Sequence, residues 1–388
     1  MNDLGIYIHW PFCIVKCPYC DFNSHKITNY NENDWLNAYL DQIDFLKTFC
    51  LNNFININKL SSIFFGGGTP SLMKPHVIEK IIEKALNTFG FKNNIEITLE
   101  ANPSTLEFKN IKSFKEAGIN RVSLGVQALN DNDLKYLGRI HKFSDITITL
   151  NQVLKVFENT SIDLIFGLPN QSLSIWEKEL DKFLLNFDPQ HISAYQLTIE
   201  KGTKFFNLLN NNKIEPINEE TEEQFYKLTK NIVEKHHFIQ YEISNFSKNN
   251  FKSVHNQLYW KSENWIGIGP GSISRLWDKD KKRYEIENYK KPSTWLKNII
   301  FNQNKLKKIQ LIDNVISDDE ILMMGLRLSE GIEIKKLTNF NLIKQKNFRQ
   351  LLKKRLIKIE NEKIIIENHY LIKLNTILSK IMNNQQLL

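Results

Sequence analysis

Three of the four cysteines lie within eight residues near the start of the chain. Cys13, Cys17 and Cys20 have the spacing C-x3-C-x2-C, and Cys50 stands apart. In a reducing compartment, such a cluster more often binds metal or does redox chemistry than forms disulfides. Three thiolates on one short loop suit a [4Fe–4S] cluster, of which they hold three irons and leave the fourth without a protein ligand. A small chelating molecule can bind at that open iron.

A single zinc ion is the alternative occupant of this loop. Structural zinc sites take four ligands, which usually come as two separated pairs. The loop offers three close thiols and no second pair, although His9 and His25 can complete a mononuclear site. The spacing therefore favours the cluster and leaves zinc as the competing hypothesis.

The residues around the cysteines resemble a known family. Residues 7–13 (YIHWPFC) and 17–22 (CPYCDF) are similar to the cysteine motif of the radical S-adenosylmethionine (SAM) superfamily. Within it, they resemble the branch that contains oxygen-independent coproporphyrinogen III oxidase (HemN) and the heme chaperone HemW. The resemblance extends from about residue 4 to the C-terminal region. It implies that SAM chelates the open iron through its amino and carboxylate groups.

The resemblance also implies which side chains contact SAM. Residues 66–70 (GGGTP) follow a predicted strand and match the superfamily's glycine motif, in which a bare backbone approaches a ligand and offers N–H groups to a carboxylate. The positions that match SAM-contacting residues are Tyr7, Tyr19, Gly67, Gly68, Thr69, Glu100, Gln127, Arg139 and Asp163. Some of them match a second SAM site, so the number of SAM molecules stays open. Phe12 and Phe22 are expected to cover the cluster, with ordinary core packing as the alternative.

Short apolar runs alternate with helical stretches along the first half of the chain. The runs are residues 6–9, 62–65, 95–99, 121–125, 162–166 and 192–195. Strands that alternate with helices indicate parallel βαβ units. We therefore predict an α/β fold with an incomplete, TIM-like (β/α)6 barrel of the radical SAM type, whose ligands gather at the carboxyl ends of the strands.

The chain divides into three predicted parts. We expect the partial barrel over residues 1–232, a connecting region over 233–305, and a HemN-type C-terminal domain over 306–388. That last domain is predicted to be small, α+β, mainly helical and winged-helix-like. It contains helices over 318–328, 351–357 and 371–382 and a strand over 364–366. In the connecting region, residues 265–272 (WIGIGPGS) are predicted to form a tight loop near the barrel mouth.

Two features separate the oxidase from the chaperone within this branch. The oxidase has a fourth cysteine two residues after the third, where this chain has Phe22. Residues 255–260 (HNQLYW) resemble the H-N-x-x-Y-W motif of HemW proteins, which is linked with heme binding. An imidazole is a good axial ligand for heme iron, and aromatic rings stack on a flat macrocycle. The resemblance therefore implies heme contacts at His255, Tyr259 and Trp260.

The same motif has a second interpretation, a histidine that is hydrogen-bonded within a packed aromatic cluster. His25, His236 and His237 remain as alternative iron ligands. Overall we expect a heme chaperone that binds a [4Fe–4S] cluster, SAM and heme and transfers heme to an acceptor hemoprotein, for example a membrane-associated respiratory enzyme. A radical SAM tetrapyrrole enzyme such as the oxidase is the alternative, so enzymatic activity stays open, although Phe22 disfavours the oxidase reaction.

Composition excludes several other classes of protein. Of 388 residues, 41% are hydrophobic and 24% are charged, which is typical of globular proteins and excludes a disordered or collagenous chain. Fifty-one Lys and Arg against 43 Asp and Glu give a net charge of +8. The lysines are interleaved with acids, so we expect a solvated surface and no nucleic-acid partner. No apolar run predicts a transmembrane segment, and residues 1–5 lack the features of a secretion signal, so we expect a cytoplasmic protein. Cys50 is predicted to be an inert, buried thiol in a helix over 35–51.

Overall fold

The structure, a computed structural model of the chain, describes residues 3–27, 29–55, 57–104 and 111–382. Met1 and Asn2, which entered the argument about localisation, lie outside these ranges. Among the helices of the described ranges, none combines the length and the apolar character that a membrane crossing needs.

The described strands form one large sheet and two small ones. In chain order they are β1 (Leu4–Trp10), β2 (Phe12–Cys13), β3 (His25–Lys26), β4 (Leu60–Gly67), β5 (Phe91–Ala101), β6 (Arg121–Gln127), β7 (Asn159–Phe166), β8 (His191–Gln196), β9 (Ile239–Glu242), β10 (Asn245–Ser247), β11 (Asn264–Ile268), β12 (Ile273–Trp277), β13 (Arg283–Glu287), β14 (Lys308–Ile312), β15 (Ile332–Glu333), β16 (Ile357–Glu360) and β17 (Lys363–Ile366). The large sheet has the order β14-β13-β12-β11-β1-β4-β5-β6-β7-β8-β10-β9.

Helices connect these strands and cover the sheet. In chain order they are α1 (Glu32–Asn52), α2 (Pro75–Phe89), α3 (Ile111–Glu116), α4 (Asp131–Tyr136), α5 (Phe143–Val156), α6 (Leu173–Asn186), α7 (Lys204–Asn210), α8 (Glu219–Lys235), α9 (Val254–Trp260), α10 (Pro292–Ile300), α11 (Asn314–Gly325), α12 (Lys346–Lys353) and α13 (Leu374–Ile381). Helix α2 illustrates why they form: Pro75 occupies its first turn, Gly90 ends it, and its buried apolar residues recur every three or four positions.

The predicted strands of the barrel are confirmed. Each of the six apolar runs lies inside an observed strand, and β1, β4, β5, β6, β7 and β8 pair side by side in parallel. Their carboxyl ends therefore meet at one edge, as a TIM-like barrel requires. The predicted α/β fold class is correct. Cys50 is fully buried in α1, as predicted, and burial raises the pKa of its thiol to about 12.

The connecting region corrects one prediction. Residues 265–268, predicted as part of a loop, belong to β11, which pairs in parallel with β1. The glycines of this segment predicted a loop, but Gly267 lies within the strand. A Cβ on Gly267 would lie 2.6 Å from the carbonyl oxygen of Ile273, so glycine is needed there for the close approach of β12. Only the following residues form the turn, where Gly269 and Gly271 have positive φ angles.

The C-terminal part has a second hydrophobic core and the small sheet β15-β17-β16. The predicted strand over 364–366 is confirmed by β17. The predicted helix over 351–357 is wrong, because α12 ends at Lys353, Arg355 has a φ of +56°, and β16 begins at Ile357. The predicted division of the chain at residues 232 and 305 stays a prediction; the large sheet itself continues to Ile312.

Candidate cofactor site

A cavity of about 480 Å³ opens at the carboxyl ends of the parallel strands. Of the twelve residues predicted for the cluster and for SAM, eleven line it. They are Cys13, Cys17, Cys20, Tyr19, Gly67, Gly68, Thr69, Glu100, Gln127, Arg139 and Asp163. Tyr7 is the exception. The structure therefore brings together, from five strands and their loops, residues that span 150 positions of the chain from Cys13 to Asp163.

The cysteine loop runs between β2 and β3, two short strands that pair in parallel. Its thiols are half-buried, and none is in a disulfide. Burial raises the pKa of the Cys13 and Cys20 thiols. The Cys17 sulfur accepts a hydrogen bond of 3.3 Å from Arg139 Nη1, which places a cation beside a candidate thiolate.

The arrangement of the thiols bears on which metal group fits. Within the described residues, no three His, Cys, Asp or Glu side chains stand close enough to hold one ion between them. A [4Fe–4S] cluster takes one thiolate per iron, so three thiolates leave one iron open, whereas a structural zinc ion needs a fourth ligand. By its chemistry, a set of three thiols therefore fits the cluster better than the ion.

Neither histidine of the zinc alternative supports it. His9 is 5% exposed, and both of its ring nitrogens are hydrogen-bonded, one to Tyr7 and the other to the backbone of Asn23. His25 is exposed, does not line the cavity, and has its Nε2 3.2 Å from Asn23 Oδ1.

The glycine motif corrects a second expectation. Its N–H groups were expected to face a ligand, but the structure uses three of them internally. Gly67 N donates to Glu100 Oε2, Gly68 N donates to the carbonyl of Trp10, and Thr69 N donates to the carbonyl of Phe12, at 3.2, 2.7 and 2.9 Å. A Cβ on Gly68 would lie 2.6 Å from that Phe12 oxygen. The glycine is thus required for packing against the chain that enters the cysteine loop.

A polar network joins the glycine motif to the cysteine loop. Arg139 Nη2 donates to Asn102 Oδ1 and, at 3.3 Å, to the Gly125 carbonyl. Asn102 Nδ2 in turn donates to Thr69 Oγ1 at 3.1 Å. Arg139 Nη1 also lies 3.4 Å from the Tyr19 hydroxyl. Arg139 therefore connects the ends of β5 and β6 with two residues of the loop.

Two carboxylates, Glu100 and Asp163, line the same cavity as the thiols. Burial, together with the nearby charge of Asp163, raises the pKa of Glu100 to about 8. Burial also raises the pKa of Asp163, although hydrogen bonds from hydroxyl groups oppose that rise; Ser123 Oγ lies 3.1 Å from both carboxylate oxygens. At neutral pH Glu100 is therefore mostly protonated until a cation enters the cavity.

Asn102, Ser123 and Tyr195 also line the cavity, and the sequence did not predict them. A signal for two of them exists in the strands. On β6, Arg121 and Ser123 share one face, and on β8, Ser193 and Tyr195 do. Both faces of a parallel sheet are usually apolar, so polar residues at alternate positions indicate a wet barrel interior. Asn102 lies beyond its strand, where no such periodicity applies.

A smaller cavity of about 180 Å³ continues toward the amino ends of the strands. Tyr7, His255 and Tyr259 line it, and it shares Glu100 and Asp163 with the larger cavity. His255 lies on α9, close to the starts of β1 and β4: a Cβ on Gly5 would be 3.2 Å from its Nδ1. The HNQLYW motif is therefore at the opposite end of the barrel from the cysteines.

In this conformation, the motif matches the packed-cluster interpretation. His255 is fully buried, with Nδ1 2.8 Å from Ser62 Oγ and Nε2 2.7 Å from the Tyr259 hydroxyl. Burial lowers the pKa of this imidazole to about 3, so the ring is neutral. Its ring also stacks on Phe64 at a centroid distance of 5.0 Å. Neither nitrogen is available to a metal unless a hydrogen bond breaks, so heme contact at this motif stays a prediction.

The other candidate heme ligands are scattered. Trp260 lies outside both cavities and stacks against the guanidinium of Arg327, 4.7 Å from the ring centroid. His236 Nε2 pairs with Asp181 at 2.8 Å, and His237 is exposed at the end of α8. The structure does not bring these side chains together with His255.

Comparison with known proteins gives a consistent result. The radical SAM superfamily model matches residues 7–183. "Radical S-adenosyl methionine domain-containing protein 1, mitochondrial" from Danio rerio is 35% identical over 334 residues, which are 85% of this chain and 74% of the relative. "Heme chaperone HemW" from Bacillus subtilis is 36% identical over 270 residues, 69% of each chain.

Among solved structures, coproporphyrinogen III oxidase (HemN) from Escherichia coli shares the fold. Its TM-score is 0.79, over 98% of this chain and 90% of the oxidase, at 18% sequence identity. The fold thus extends beyond the barrel into the C-terminal part, while the sequence identities over most of each relative define the family. The chain belongs to the radical SAM superfamily, in the branch that contains HemW and HemN.

Proposed function

We propose that this chain is a HemW-type heme chaperone that binds a [4Fe–4S] cluster, SAM and heme and passes the heme to an acceptor hemoprotein. The observation that carries the proposal is the large cavity, which three cysteine thiols and the carboxylates of Glu100 and Asp163 line together. Membership of the radical SAM superfamily implies a [4Fe–4S] cluster and SAM. The 36% identity to the B. subtilis heme chaperone supports the choice of cargo.

Within the proposal, Cys13, Cys17 and Cys20 hold the cluster. A bound cluster supplies one-electron reducing chemistry and an iron on which SAM can chelate. This chain's own residues contribute through charge and hydrogen bonding. Arg139 donates a 3.3 Å hydrogen bond to the Cys17 sulfur. Glu100, whose pKa is raised by burial to about 8, is the carboxylate that a cationic ligand in the cavity would stabilise in its charged form.

Phe22 supports the chaperone over the oxidase. This side chain occupies the place of the oxidase's fourth cysteine, lines the cavity, and is 59% exposed. An exposed aromatic ring that lines the cavity suits contact with a flat apolar ligand. Phe12, the other expected cover, instead packs in the core against Trp10, Tyr30 and Trp35.

The heme contacts at His255, Tyr259 and Trp260 remain part of the proposal and carry a structural requirement. For His255 to ligate iron, the Tyr259 hydroxyl must leave Nε2 or the Ser62 hydroxyl must leave Nδ1. Heme binding at His255 would therefore be slow or weak until one of these two hydrogen bonds at the amino end of the barrel breaks. His25 at the exposed rim is the alternative ligand that needs no such opening.

The test is anaerobic reconstitution with iron and sulfide, followed by heme titration with and without SAM. We expect saturable heme uptake by the wild type and a shifted heme spectrum in His255→Gln. His76→Gln is the matched control, because His76 is exposed and pairs only with Glu32. Heme uptake and a spectrum that are identical in wild type and His255→Gln would remove His255 from the site and direct the search to His25.

The remaining steps of the proposal need separate measurements. Transfer is followed as the loss of heme from the loaded chain when an apo-hemoprotein is added. The oxidase alternative predicts carbon dioxide release from coproporphyrinogen III with SAM and reductant, and the chaperone proposal predicts none. The proposed compartment is the cytoplasm, although the D. rerio relative is named as mitochondrial.

A further inference from the structure

We infer that Tyr7, His9 and Asn23 form a clamp that positions the Cys20 end of the cysteine loop before the cofactor arrives. Tyr7 and His9 are on β1, and Asn23 follows Cys20 by three residues. The inference depends on the proposed function only for the identity of the cofactor. The clamp itself is a property of the protein without any cofactor.

The hydrogen bonds of His9 have a defined direction. Its Nε2 lies 3.0 Å from the backbone oxygen of Asn23, which can only accept, so Nε2 carries the proton. Burial lowers the pKa of His9 to about 4, so the ring is neutral and its Nδ1 is an acceptor. The Tyr7 hydroxyl, 3.0 Å from Nδ1, is therefore the donor. The imidazole therefore links the Tyr7 hydroxyl in the barrel interior to the Asn23 carbonyl in the loop through two hydrogen bonds of fixed direction.

Asn23 extends the clamp to the neighbouring turn. Its Nδ2 donates to the carbonyl oxygens of Pro270 and Lys290, both at 2.9 Å. The backbone oxygen of the same residue receives the bond from His9. Asn23 is thus held from two sides, by β1 on one side and by the turn after β11 and the segment after β13 on the other. Ser24, the next residue, has its hydroxyl 3.7 Å from the Cys20 sulfur. A shift of Asn23 would therefore also move the hydroxyl that contacts this thiol.

The three thiols are held by different parts of the protein. Cys13 belongs to β2, and the residue before it accepts from Thr69 N. Cys17 is held by Arg139, and the carbonyl of the adjacent Pro18 accepts from Phe205 N at 3.0 Å. Cys20 lies outside any strand or helix, and its own N–H donates to the Cys17 carbonyl at 3.2 Å. Beyond it, the chain is held at Asn23 by the clamp and at His25, whose N–H donates to the Pro11 carbonyl at 2.7 Å. The clamp therefore acts on the part of the loop that carries Cys20.

The glycine motif is shaped to admit the clamp. Gly67 has a φ of +111°, and a Cβ there would lie 2.6 Å from the His9 ring. Any other residue at this position would displace the imidazole or strain the backbone. One role of this glycine is thus to leave room for the ring that holds the loop.

The experiment measures thiol reactivity in the reduced, metal-free protein. Iodoacetamide labels the four cysteines, and peptide mass spectrometry gives a rate for each. In His9→Phe, which keeps a ring and removes both hydrogen bonds, we expect Cys20 to react about fivefold faster, as loss of one net hydrogen bond predicts. Cys13 and Cys17 should change less, and Cys50, buried in α1, serves as the internal standard for global loosening. His76→Phe is the matched control, because His76 is exposed on α2 and its ring pairs with Glu32, outside the clamp.

Tyr7→Phe removes only the hydroxyl that bonds to His9, and it tests the clamp if His9→Phe does not fold. A selective rise at Cys20, with a lower iron content after reconstitution, supports the clamp. An unchanged Cys20 rate in folded variants, or an equal rise at all four cysteines, overturns it. Because the labelling needs no cluster, SAM or heme, its result is independent of whether the chaperone proposal holds.

Discussion

The two ends of the barrel both carry residues of recognisable motifs, but they differ in how far the polar groups of those residues are already bonded within the protein. At the carboxyl end, the three thiols are half-buried around an open cavity of about 480 Å³. At the amino end, His255 is fully buried with both nitrogens bonded. In α/β barrels, ligand chemistry concentrates at the carboxyl end and the amino end contributes stability. A histidine in a recognisable motif is therefore not by itself a ligand.

At the amino end of the barrel, the HNQLYW motif stabilises the packing of α9 against the sheet. The carboxylate of Glu96 accepts hydrogen bonds from the backbone N–H groups of Val254 and His255, both at 3.0 Å, and so caps the first turn of α9. Ser253 adds a side-chain bond to Asn256 N. Helix α9 is thus tied to the inside of β5, and its aromatic residues fill the space beneath Tyr7. The carboxyl end has no comparable plug among the described residues.

The largest expected effect separates the thiols of the carboxyl end from the buried thiol of α1. Cys17→Ala should reduce the iron and sulfide retained after anaerobic reconstitution to background, because a cluster with two protein ligands is held too weakly. Cys50→Ala, in the core, is the matched control and should retain both elements at the wild-type ratio. Equal iron content in the two variants would mean that the cluster is not at this loop.

The second prediction concerns the charge of Glu100 at the carboxyl end of the barrel. Burial raises the pKa of Glu100 from 4.5 to about 8, so between these values the folded state keeps a proton that the unfolded state has lost. The free energy of unfolding should therefore fall as the pH rises through this window. Glu100→Gln cannot titrate, so from about pH 5 to about pH 9 it should gain on the order of 2 to 4 kcal/mol relative to wild type, less than the full shift because the carboxylate lines an open cavity.

Urea unfolding, followed by tryptophan fluorescence across that pH range, measures this difference. The charge of Asp163 acts on Glu100, so the same pair of proteins is also compared in an Asp163→Asn background, where that interaction is absent. Glu177→Gln, at an exposed position on α6, is the control and should leave the pH dependence unchanged. Parallel pH profiles for wild type and Glu100→Gln would show that Glu100 is solvated and carries its charge at neutral pH.

The third prediction concerns the HNQLYW motif at the amino end of the barrel. His255→Phe preserves a ring that can stack on Phe64, but it leaves the hydroxyls of Ser62 and Tyr259 buried without their partner. We expect a loss of about 2 to 4 kcal/mol of stability from these two unsatisfied groups. The cluster content after reconstitution should stay close to wild type, because the motif is at the other end of the barrel. Thermal unfolding and iron analysis of the same preparation check both statements. Wild-type stability in His255→Phe would contradict the structural role of the motif.

Some of this architecture follows from local sequence, and some depends on contacts that no local pattern records. The strand over 162–166 is a nearly continuous apolar run, and only Asp163 interrupts it, so both the strand and its unusual charge are visible in the sequence. The three thiols are within eight residues, so their common cavity was also predictable. Helix α12 was misplaced because the positive φ of Arg355, which ends it, has no glycine to mark it.

The internal use of the glycine N–H groups and the bonding of Tyr7 could not be predicted in the same way. Gly68 N is bonded to the carbonyl of Trp10, 58 positions away, and His255 is 193 positions from Ser62. A matched motif fixes which residue types occur, but the partner of each polar group is decided by the packing of distant strands. Tyr7, predicted to contact SAM, lines the smaller cavity, which shares Glu100 and Asp163 with the larger one, so its SAM contact stays a prediction.

The smallest expected effect compares the same side chain at the two ends of the barrel. Phe22 is 59% exposed at the rim, so Phe22→Ala should change the free energy of unfolding by no more than about 0.5 kcal/mol. Phe64, 8% exposed between Tyr7 and His255, should lose about 3 kcal/mol or more when it is changed to alanine. Denaturant unfolding gives both values. A costly Phe22→Ala would mean that the rim is packed in solution, and the opening that distinguishes the carboxyl end would then have to be created by ligand binding.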